Sequence, residues 1–211
     1  MSAKVVSLNV VYDQVPDVGG TVGITSIDKR PVKDAREVTT SGVAGDSRSD
    51  MEYHGSPNQA VYAFALEDYD WWSAQLEMAL TPGQFGENLT TTGIDLNTLI
   101  IGTKVKVGSA LLQVTTPRIP CGTFQRWMNL DQWVKRFTQG GRPGTYLRVL
   151  ENGLVKASDE FEIIEVPNHD VTILDYFKVH TGDRDQERVN RCVNCPDIEL
   201  EAREKFAKFL I

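Results

Sequence analysis

The segment at positions 99–115 reads LIIGTKVKVGSALLQVT and decides the expected fold. Its two apolar runs have the length and the branched residues of strands, and Gly108-Ser109 between them suits a hairpin turn. Similar short runs, bounded by turn residues, occupy positions 5–11, 23–27, 60–65, 146–150, 154–157 and 161–166. Many short strands separated by turns predict a mainly β fold built as a barrel.

Two further features complete the predicted organisation. Asn152-Gly153 predicts a hairpin between the strands at 146–150 and 154–157, because Asn-Gly favours the tight turns of hairpins. Helical spacing appears within the strand series at 67–80 and 130–137, and after Pro167 at 171–179, 185–193 and 196–210. We therefore expect a β-barrel domain with a few helices over 1–166, followed by a small three-helix domain over 167–211.

Composition restricts the partners of the chain. Its 211 residues carry a net charge of -7 without a cluster of Lys and Arg, so nucleic acid is not an expected partner. No stretch approaches the ~20 apolar residues that span a bilayer, so no membrane association is expected. Three cysteines are an odd and low number, which favours a reducing compartment over a disulfide framework. A cytoplasmic location is the expectation.

The segment TPRIPCG at positions 116–122 carries the strongest chemical signal. Pro117 and Pro120 stiffen a loop that follows a strand, and the loop presents Cys121 close to Arg118. A nearby cation lowers the pKa of a thiol, and the thiolate is the form that binds soft metals or attacks electrophiles. A lone cysteine is also common as a small buried hydrophobic residue, and the segment by itself leaves both interpretations open.

Two other loops are rich in polar groups. Positions 82–93 read PGQFGENLTTTG, whose amide and hydroxyl groups would suit an anion or a heterocycle, or simply a well-capped turn. The second loop begins with GVAGD at positions 42–46 and continues to His54-Gly55. His54 is either a proton carrier or a structural residue, and Asp46 is either a turn cap or a site residue.

Taken together and in this order, these segments resemble the MOSC domain family in its YiiM-type branch. The likeness rests on GVAGD at 42–46, His54-Gly55, FGENLTT at 85–91 and the Pro-Arg-x-Pro-Cys motif that ends at Cys121. The predicted helical tail after Pro167 resembles the C-terminal three-helix domain of that branch. Each motif alone is weak, but four motifs in the same order are specific.

The resemblance implies a β-barrel that binds the molybdenum atom of molybdopterin through Cys121. It also implies that Arg118 helps to hold the cofactor and that His54 lies near the pocket. Further cofactor-binding or pocket-lining residues are expected from the other motifs: Asp46, Glu87, Asn88 and Thr90. Arg36, ahead of the Gly-Asp motif, is a candidate partner of the pterin phosphate.

The resemblance further implies a reductase of small N-hydroxylated compounds such as 6-hydroxylaminopurine. Cys121 would anchor the metal, and His54 or Glu87 would protonate the departing oxygen. The chain has no Gly-x-Gly-x-x-Gly fingerprint of a flavin or nicotinamide site, so a separate electron-donating reductase is the expected partner. Two alternatives remain: a non-catalytic carrier of the cofactor or of a Cys121 persulfide, and a metal-free barrel.

Several residues fall outside this pattern. Ser56 stands where the family usually has the second glycine of His-Gly-Gly-Pro. Cys192 and Cys195 form a Cys-x-x-Cys pair, which is either structural or redox-active, since it supplies only two of the four ligands of a structural zinc. Apolar tail positions either cover the barrel or meet a second subunit in a homodimer: Phe177, Phe206 and Phe209.

Overall fold

Two β-sheets form the framework of the chain, whose computed structural model describes residues 2–51 and 55–211. The large sheet has eight strands in the order β11-β7-β8-β9-β5-β6-β1-β2, and a small sheet has the order β10-β3-β4. The strands are β1 Lys4–Pro16, β2 Ile24–Val32, β3 Arg36–Thr39, β4 Gly42–Val43, β5 Val61–Ala65, β6 Leu89–Thr92, β7 Lys104–Val107, β8 Ala110–Pro117, β9 Thr145–Glu151, β10 Gly153–Val155 and β11 Phe161–Glu165. The sheet-rich fold expected from the sequence is confirmed.

The closed barrel is not confirmed. Strands β11 and β2 stand at opposite edges of the large sheet, and they do not pair with each other in the described part of the chain. The start of β1 does reach the chain ahead of β11, because the amide of Val5 donates to the carbonyl of Asp159 at 2.9 Å and the amide of Ser158 donates back to Val5 at 2.8 Å. These hydrogen bonds bring β1 close to the chain that leads into β11, but the two edge strands do not pair in the described residues, so the sheet is not a closed barrel.

The hairpin predicted within 99–115 is confirmed, but its first strand is shorter than expected. Strands β7 and β8 pair in antiparallel fashion, with Val107 opposite Ala110. Ahead of Lys104, Gly102 adopts a φ of +91° and turns the chain. As a result Ile100 makes only an isolated bridge with Thr172, and the strand begins at Lys104.

The hairpin predicted at Asn152-Gly153 is wrong. Strand β10 pairs with β3 in the small sheet, where Gly153 lies opposite Val38. Gly153 is required for close packing, since a Cβ atom there would lie 2.3 Å from the backbone of Ser109 and Ala110 in the β7–β8 turn. The glycine signals a contact between chain segments at this point, not a turn.

The described part of the chain contains six α-helices. They are α1 Leu66–Leu76, α2 Gly122–Met128, α3 Trp133–Gly140, α4 Ile173–Thr181, α5 Gln186–Asn194 and α6 Leu200–Ala207. Helix α1 ends earlier than predicted because Glu77 takes a left-handed conformation with φ of 53°. Helix α2 was not predicted, and it begins directly after Cys121. The three tail helices occur in the predicted regions: α4 begins and ends two residues later than predicted, α5 begins and ends one residue later, and α6 is shorter at both ends.

The tail helices share their core with the sheet. Tyr176, Val189 and Phe206 are buried in one apolar cluster with the strand residues, and Phe177 joins a second, aromatic cluster. These side chains therefore cover their own chain, while the boundary between 1–166 and 167–211 and the homodimer both stay predictions. Within the residues described, we find no helix that combines the length and the apolar character needed to cross a membrane.

Candidate functional site

A cavity of about 620 Å³ opens between the loop that joins β1 to β2 and the segment around Cys121. Its volume lies within the range of small-molecule sites. One wall comes from residues 17–27, a second from 47–50, and a third from 118–123. The cavity is also lined by Tyr62 on β5 and Tyr146 on β9, two paired strands in the middle of the large sheet. Asn88, at the end of the 82–88 loop, completes this part of the lining.

The local sequence places Cys121 at a junction between strand and helix. Strand β8 ends at Pro117, and helix α2 begins at Gly122. Cys121 stays extended, with φ of -129°, and its carbonyl accepts the first helical hydrogen bond from Gln125 at 3.0 Å. All three cysteines of the chain are present as thiols, and Cys121 is half-buried at the cavity wall. The sequence-based expectation of a stiff loop presenting this thiol agrees with this geometry.

Arg118 is a buried cation at the same wall. Its guanidinium donates to the carbonyl of Phe85 and lies 3.7 Å from the ring centre of Phe124. Burial lowers the pKa of Arg118, but attraction to Tyr62, Tyr146 and Cys121 outweighs the burial and raises the pKa overall. Arg118 therefore stays charged beside the cavity, and this side chain is only 7% exposed.

Two tyrosines whose rings are in contact form another part of the lining. The rings of Tyr62 and Tyr146 have centres 4.9 Å apart. The hydroxyl of Tyr62 donates to the carbonyl of Pro143 at 2.8 Å. Burial raises the pKa of Tyr146, Arg118 lowers it and Cys121 raises it, with a net increase that keeps the phenol protonated. Both tyrosines lie on strands, and the sequence predicted only strands at these positions, with no role at a site.

A polar group of side chains forms a further part of the lining. The hydroxyl of Ser26 lies 2.9 Å from that of Ser47 and 2.7 Å from that of Ser49. Lys29 and Arg48 line the cavity with them. Hydroxyls and cations in one wall are suited to an anionic group. Sequence reasoning missed this set, because its members come from β2 and from a loop whose spacing shows no motif.

Asp46 and Asn88, both expected at the site, are in contact. The amide of Asn88 lines the cavity and donates to the carboxylate of Asp46 at 2.8 Å, and Lys29 donates to the same carboxylate at 2.5 Å. Asp46 is not among the described residues that line the larger cavity. It lies at a second cavity of about 390 Å³, which shares Ser47 and Arg48 with the first. Asp46 thus holds the side chains of Asn88 and Lys29 in place by hydrogen bonds, although Asp46 does not line the larger cavity itself.

Glu87 and Thr90, the two other polar residues expected at the pocket, lie in the protein interior. Both are fully buried, and neither is among the described residues that line the cavity. The carboxylate of Glu87 accepts hydrogen bonds from the hydroxyl of Tyr69 at 2.8 Å, the amide of Gly83 at 2.6 Å and the hydroxyl of Thr90 at 2.6 Å. Glu87 therefore ties α1, the 82–88 loop and β6 together, and its carboxylate is enclosed by these partners.

Of the remaining predicted site residues, Arg36 is described by the structure and is not brought to the cavity. Arg36 lies on β3, outside the cavity lining, and its buried Nε has no hydrogen-bond partner among the residues that the structure describes. Its expected contact with a phosphate is therefore not supported at this cavity. His54 lies outside the described residues, so its role stays a prediction.

Cys192 and Cys195 are buried in the helical tail. Burial raises the pKa of Cys192 to about 12, and Cys195 lies 3.5 Å from Nε2 of His169. The same nitrogen lies 3.1 Å from the carboxylate of Asp197. Over residues 2–51 and 55–211, no group of three His, Cys, Asp or Glu side chains is arranged to hold a metal ion. The structural interpretation of this pair agrees with its burial.

Comparisons with known proteins agree on one family. The model of the MOSC domain matches residues 50–162. The uncharacterised protein YflK of Bacillus subtilis is 34% identical over 161 residues, which are 76% of this chain and 73% of that protein. A protein named reductase from Gibberella moniliformis is 30% identical over 145 residues, which are 67% of this chain and 26% of that protein. The crystal structure of YiiM from Geobacillus stearothermophilus has a TM-score of 0.80 and 26% identity, covering 99% of this chain and 100% of that one.

Proposed function

The chain belongs to the MOSC domain family, and from this membership we propose that it is a molybdenum-cofactor-dependent oxidoreductase with Cys121 as the protein ligand of the metal. The substrates that we propose are small N-hydroxylated compounds such as 6-hydroxylaminopurine. The distant relative named reductase supports the general class of reaction. The observation that carries the proposal is the thiol of Cys121 at the wall of a cavity of about 620 Å³.

The donor set of the cavity supports a cofactor of this kind. A thiolate is a soft ligand, and a single thiolate is the protein ligand that the family resemblance implies. The cations and hydroxyls of the polar lining would hold the anionic phosphate end of the pterin: Lys29, Arg48, Ser26, Ser47 and Ser49. When bound, the cofactor would supply a two-electron redox centre. Arg118 would balance negative charge near Cys121, because its guanidinium is buried at that wall.

The overall reaction needs protons as well as electrons. Reduction of an N-hydroxyl group breaks the N–O bond, consumes two electrons and two protons, and yields an amine and water. Glu87 is enclosed by its partners, so we assign the proton-holding role to Oη of Tyr146. Its phenol lines the cavity and stays protonated at neutral pH. The hydroxyl of Tyr62 is engaged with Pro143 and orients the neighbouring ring.

Electrons have to come from outside the chain. We propose a separate reductase as the donor, since the sequence lacks the glycine fingerprint of a nicotinamide or flavin site. This partner is proposed as a class of protein, and a chemical donor replaces it in the assay below.

Turnover by the cofactor-loaded protein tests the proposal. The protein is purified from cells that make molybdopterin and are supplied with molybdate, and reduction of 6-hydroxylaminopurine is followed with a chemical electron donor. We expect amine product from the wild type and none from Cys121→Ser. Bound molybdenum without turnover would favour the carrier function over the enzyme. Equal turnover in the Cys121→Ser variant would reject the ligand assignment.

A further inference from the structure

The loop between β1 and β2 is fastened to the helix that follows Cys121. The carboxylate of Asp17 accepts two hydrogen bonds from Arg126, at 2.5 Å and 2.9 Å, and a third from the hydroxyl of Thr123 at 2.7 Å. The side chain of Asp17 is only 5% exposed, although it lies in a loop. Arg126 and Thr123 lower the pKa of Asp17, so this carboxylate stays charged. Two walls of the cavity are thereby joined.

The loop is built to bring this carboxylate onto Arg126. The amide of Asp17 donates to the carbonyl of Gly23 at 2.9 Å, and the amide of Gly20 donates to the carbonyl of Asp17 at 2.9 Å. A Cβ atom at Gly20 would lie 2.2 Å from Oδ2 of Asp17. Only glycine at position 20 leaves room for the carboxylate in this position.

The same loop presents apolar surface to the cavity. We define the hairpin wall as the residues of this loop that line the cavity: Asp17, Gly19, Gly20, Thr21, Val22 and Ile24. Val22 and Ile24 both line the cavity and are 47% and 43% exposed, so neither is covered by the protein. Val18 is more exposed, at 87%, but it is not among the described residues that line the cavity. A ligand in the cavity would remove apolar surface of Val22 and Ile24 from water.

We propose that the hairpin wall determines specificity: Val22 and Ile24 bind the ring system of an N-hydroxylated heteroaromatic substrate, and Asp17 is the positioning residue that holds them at the cavity. The inference rests on the proposed function for the identity of the substrate. The flat face of a heteroaromatic ring gains from contact with two aliphatic side chains, whereas a small acyclic N-hydroxy compound has no such face to cover them.

Substitutions assayed with two substrates test whether Val22 and Ile24 bind the ring of the substrate. Val22→Ser and Ile24→Ser are compared with Val18→Ser, a matched change in the same loop outside the cavity. For 6-hydroxylaminopurine we expect KM to rise about 10-fold in the first two variants, with kcat little changed. Val18→Ser should behave as the wild type, and the KM for N-hydroxyurea should not move in any variant. An equal rise for both compounds, or the same rise in Val18→Ser, would overturn the proposal.

A second experiment needs no turnover and tests whether Asp17 holds the hairpin wall in position. The rate at which iodoacetamide modifies Cys121 is measured by mass spectrometry of its peptide. Asp17→Asn and Gly20→Ala should both speed the modification several-fold, because the hairpin wall is released from Arg126. The control is Asp28→Asn, which removes the pairing of Asp28 with Arg30 outside the cavity and should leave the rate unchanged. Unchanged labelling in both loop variants would overturn the role of Asp17.

The two experiments separate the possible failures. If the cofactor-loaded wild-type protein reduces neither compound, both the proposed function and the binding of the substrate ring by Val22 and Ile24 are wrong. The labelling rates of Cys121 still decide whether Asp17 positions the hairpin wall. If turnover is normal but the substitutions change KM equally for both compounds, only the role of the hairpin wall in specificity is wrong.

Discussion

The side-chain amide of Asn88 donates a hydrogen bond of 2.8 Å to the carboxylate of Asp46, which lies 42 residues earlier in the chain. The same carboxylate accepts from Lys29 at 2.5 Å and from the amide of Val11 at 2.9 Å. Asn88 and Lys29 line the cavity, and Asp46 connects them to β1. Two motifs that are separate in the sequence thus meet at one carboxylate.

Removal of this carboxylate is expected to destabilise the fold. The side chain of Lys29 is 9% exposed, so Asp46→Ala leaves a nearly buried ammonium without its counterion. We expect the free energy of unfolding to fall by about 3–5 kcal/mol, measured by urea denaturation. The control Glu165→Ala removes an exposed pair with Lys104 and should cost about 1 kcal/mol or less. A similar small loss in both variants would show that Asp46 does not support the cavity.

Glu87 and Asn88 illustrate what a sequence motif conveys and what it leaves open. The motif correctly brings the 82–88 loop to the cavity, because Gly86 and Asn88 line it. Glu87 and Asn88 lie between the turn at 82–86 and β6, where the side chain of Asn88 lines the cavity and that of Glu87 is buried in the interior. Which of the two is buried depends on Tyr69 and Thr90, whose donors converge on Glu87. These partners come from other elements and show no local pattern.

The contacts that shape the cavity were still less predictable. The Cys121 loop follows from local stiffness, since two prolines and a strand end determine its course. Asp17 and Arg126 are 109 residues apart, and nothing in their neighbourhoods indicates that they pair. Similarly, β6 pairs in parallel with β5, although positions 82–93 suggested only a loop. Local stiffness predicted the loop that presents Cys121, and tertiary packing supplied the cavity walls around it.

Glu87→Gln should change the pH dependence of the free energy of unfolding and leave kcat nearly unchanged. Burial raises the pKa of Glu87 in the folded protein above its ordinary value of 4.5, although its hydrogen bonds lower it in part. The folded state therefore binds the proton more tightly, and the free energy of unfolding decreases as pH rises from about 4.5 through the folded pKa. Thermal denaturation across this window should show the decrease in the wild type and a flatter profile in Glu87→Gln.

Turnover supplies the matching control for that variant. With Glu87 confined to a structural role, folded Glu87→Gln should keep kcat for the N-hydroxylated substrate near the wild-type value. A large loss of kcat in a variant of unchanged secondary structure would contradict this role and restore the carboxyl as a proton donor.

His180 is expected to destabilise the protein in acid. Burial lowers its pKa to about 4, with a smaller effect of Lys205, and its ring stacks on Tyr176 with centres 6.0 Å apart. Because the unfolded chain binds the proton at pH values near 6.5, stability is lost as pH falls from 6.5 towards 4. The variant His180→Phe keeps a flat ring and should reduce this loss in Tm. An identical acid profile in both proteins would exclude His180 as its source.

Tyr146→Phe tests the proposed source of the proton. The change removes Oη and leaves the ring in contact with that of Tyr62. We expect kcat to fall by about 100-fold or more, in line with the loss of a general acid, and the molybdenum content to stay at the wild-type value. The matched variant Tyr62→Phe should retain most of kcat, because the hydroxyl of Tyr62 is engaged with Pro143. Equal activity of Tyr146→Phe and the wild type would remove Tyr146 from the mechanism.

The molybdenum content of the purified protein tests the central claim most directly. Wild type, Cys121→Ser and the thiol control Cys192→Ala are purified from the same molybdate-supplied cells, and metal per chain is measured by elemental analysis. The account predicts close to one molybdenum per chain in the wild type and in Cys192→Ala, whose thiol is buried away from the cavity, and background metal in Cys121→Ser. A folded Cys121→Ser protein that holds as much molybdenum as the wild type would contradict it.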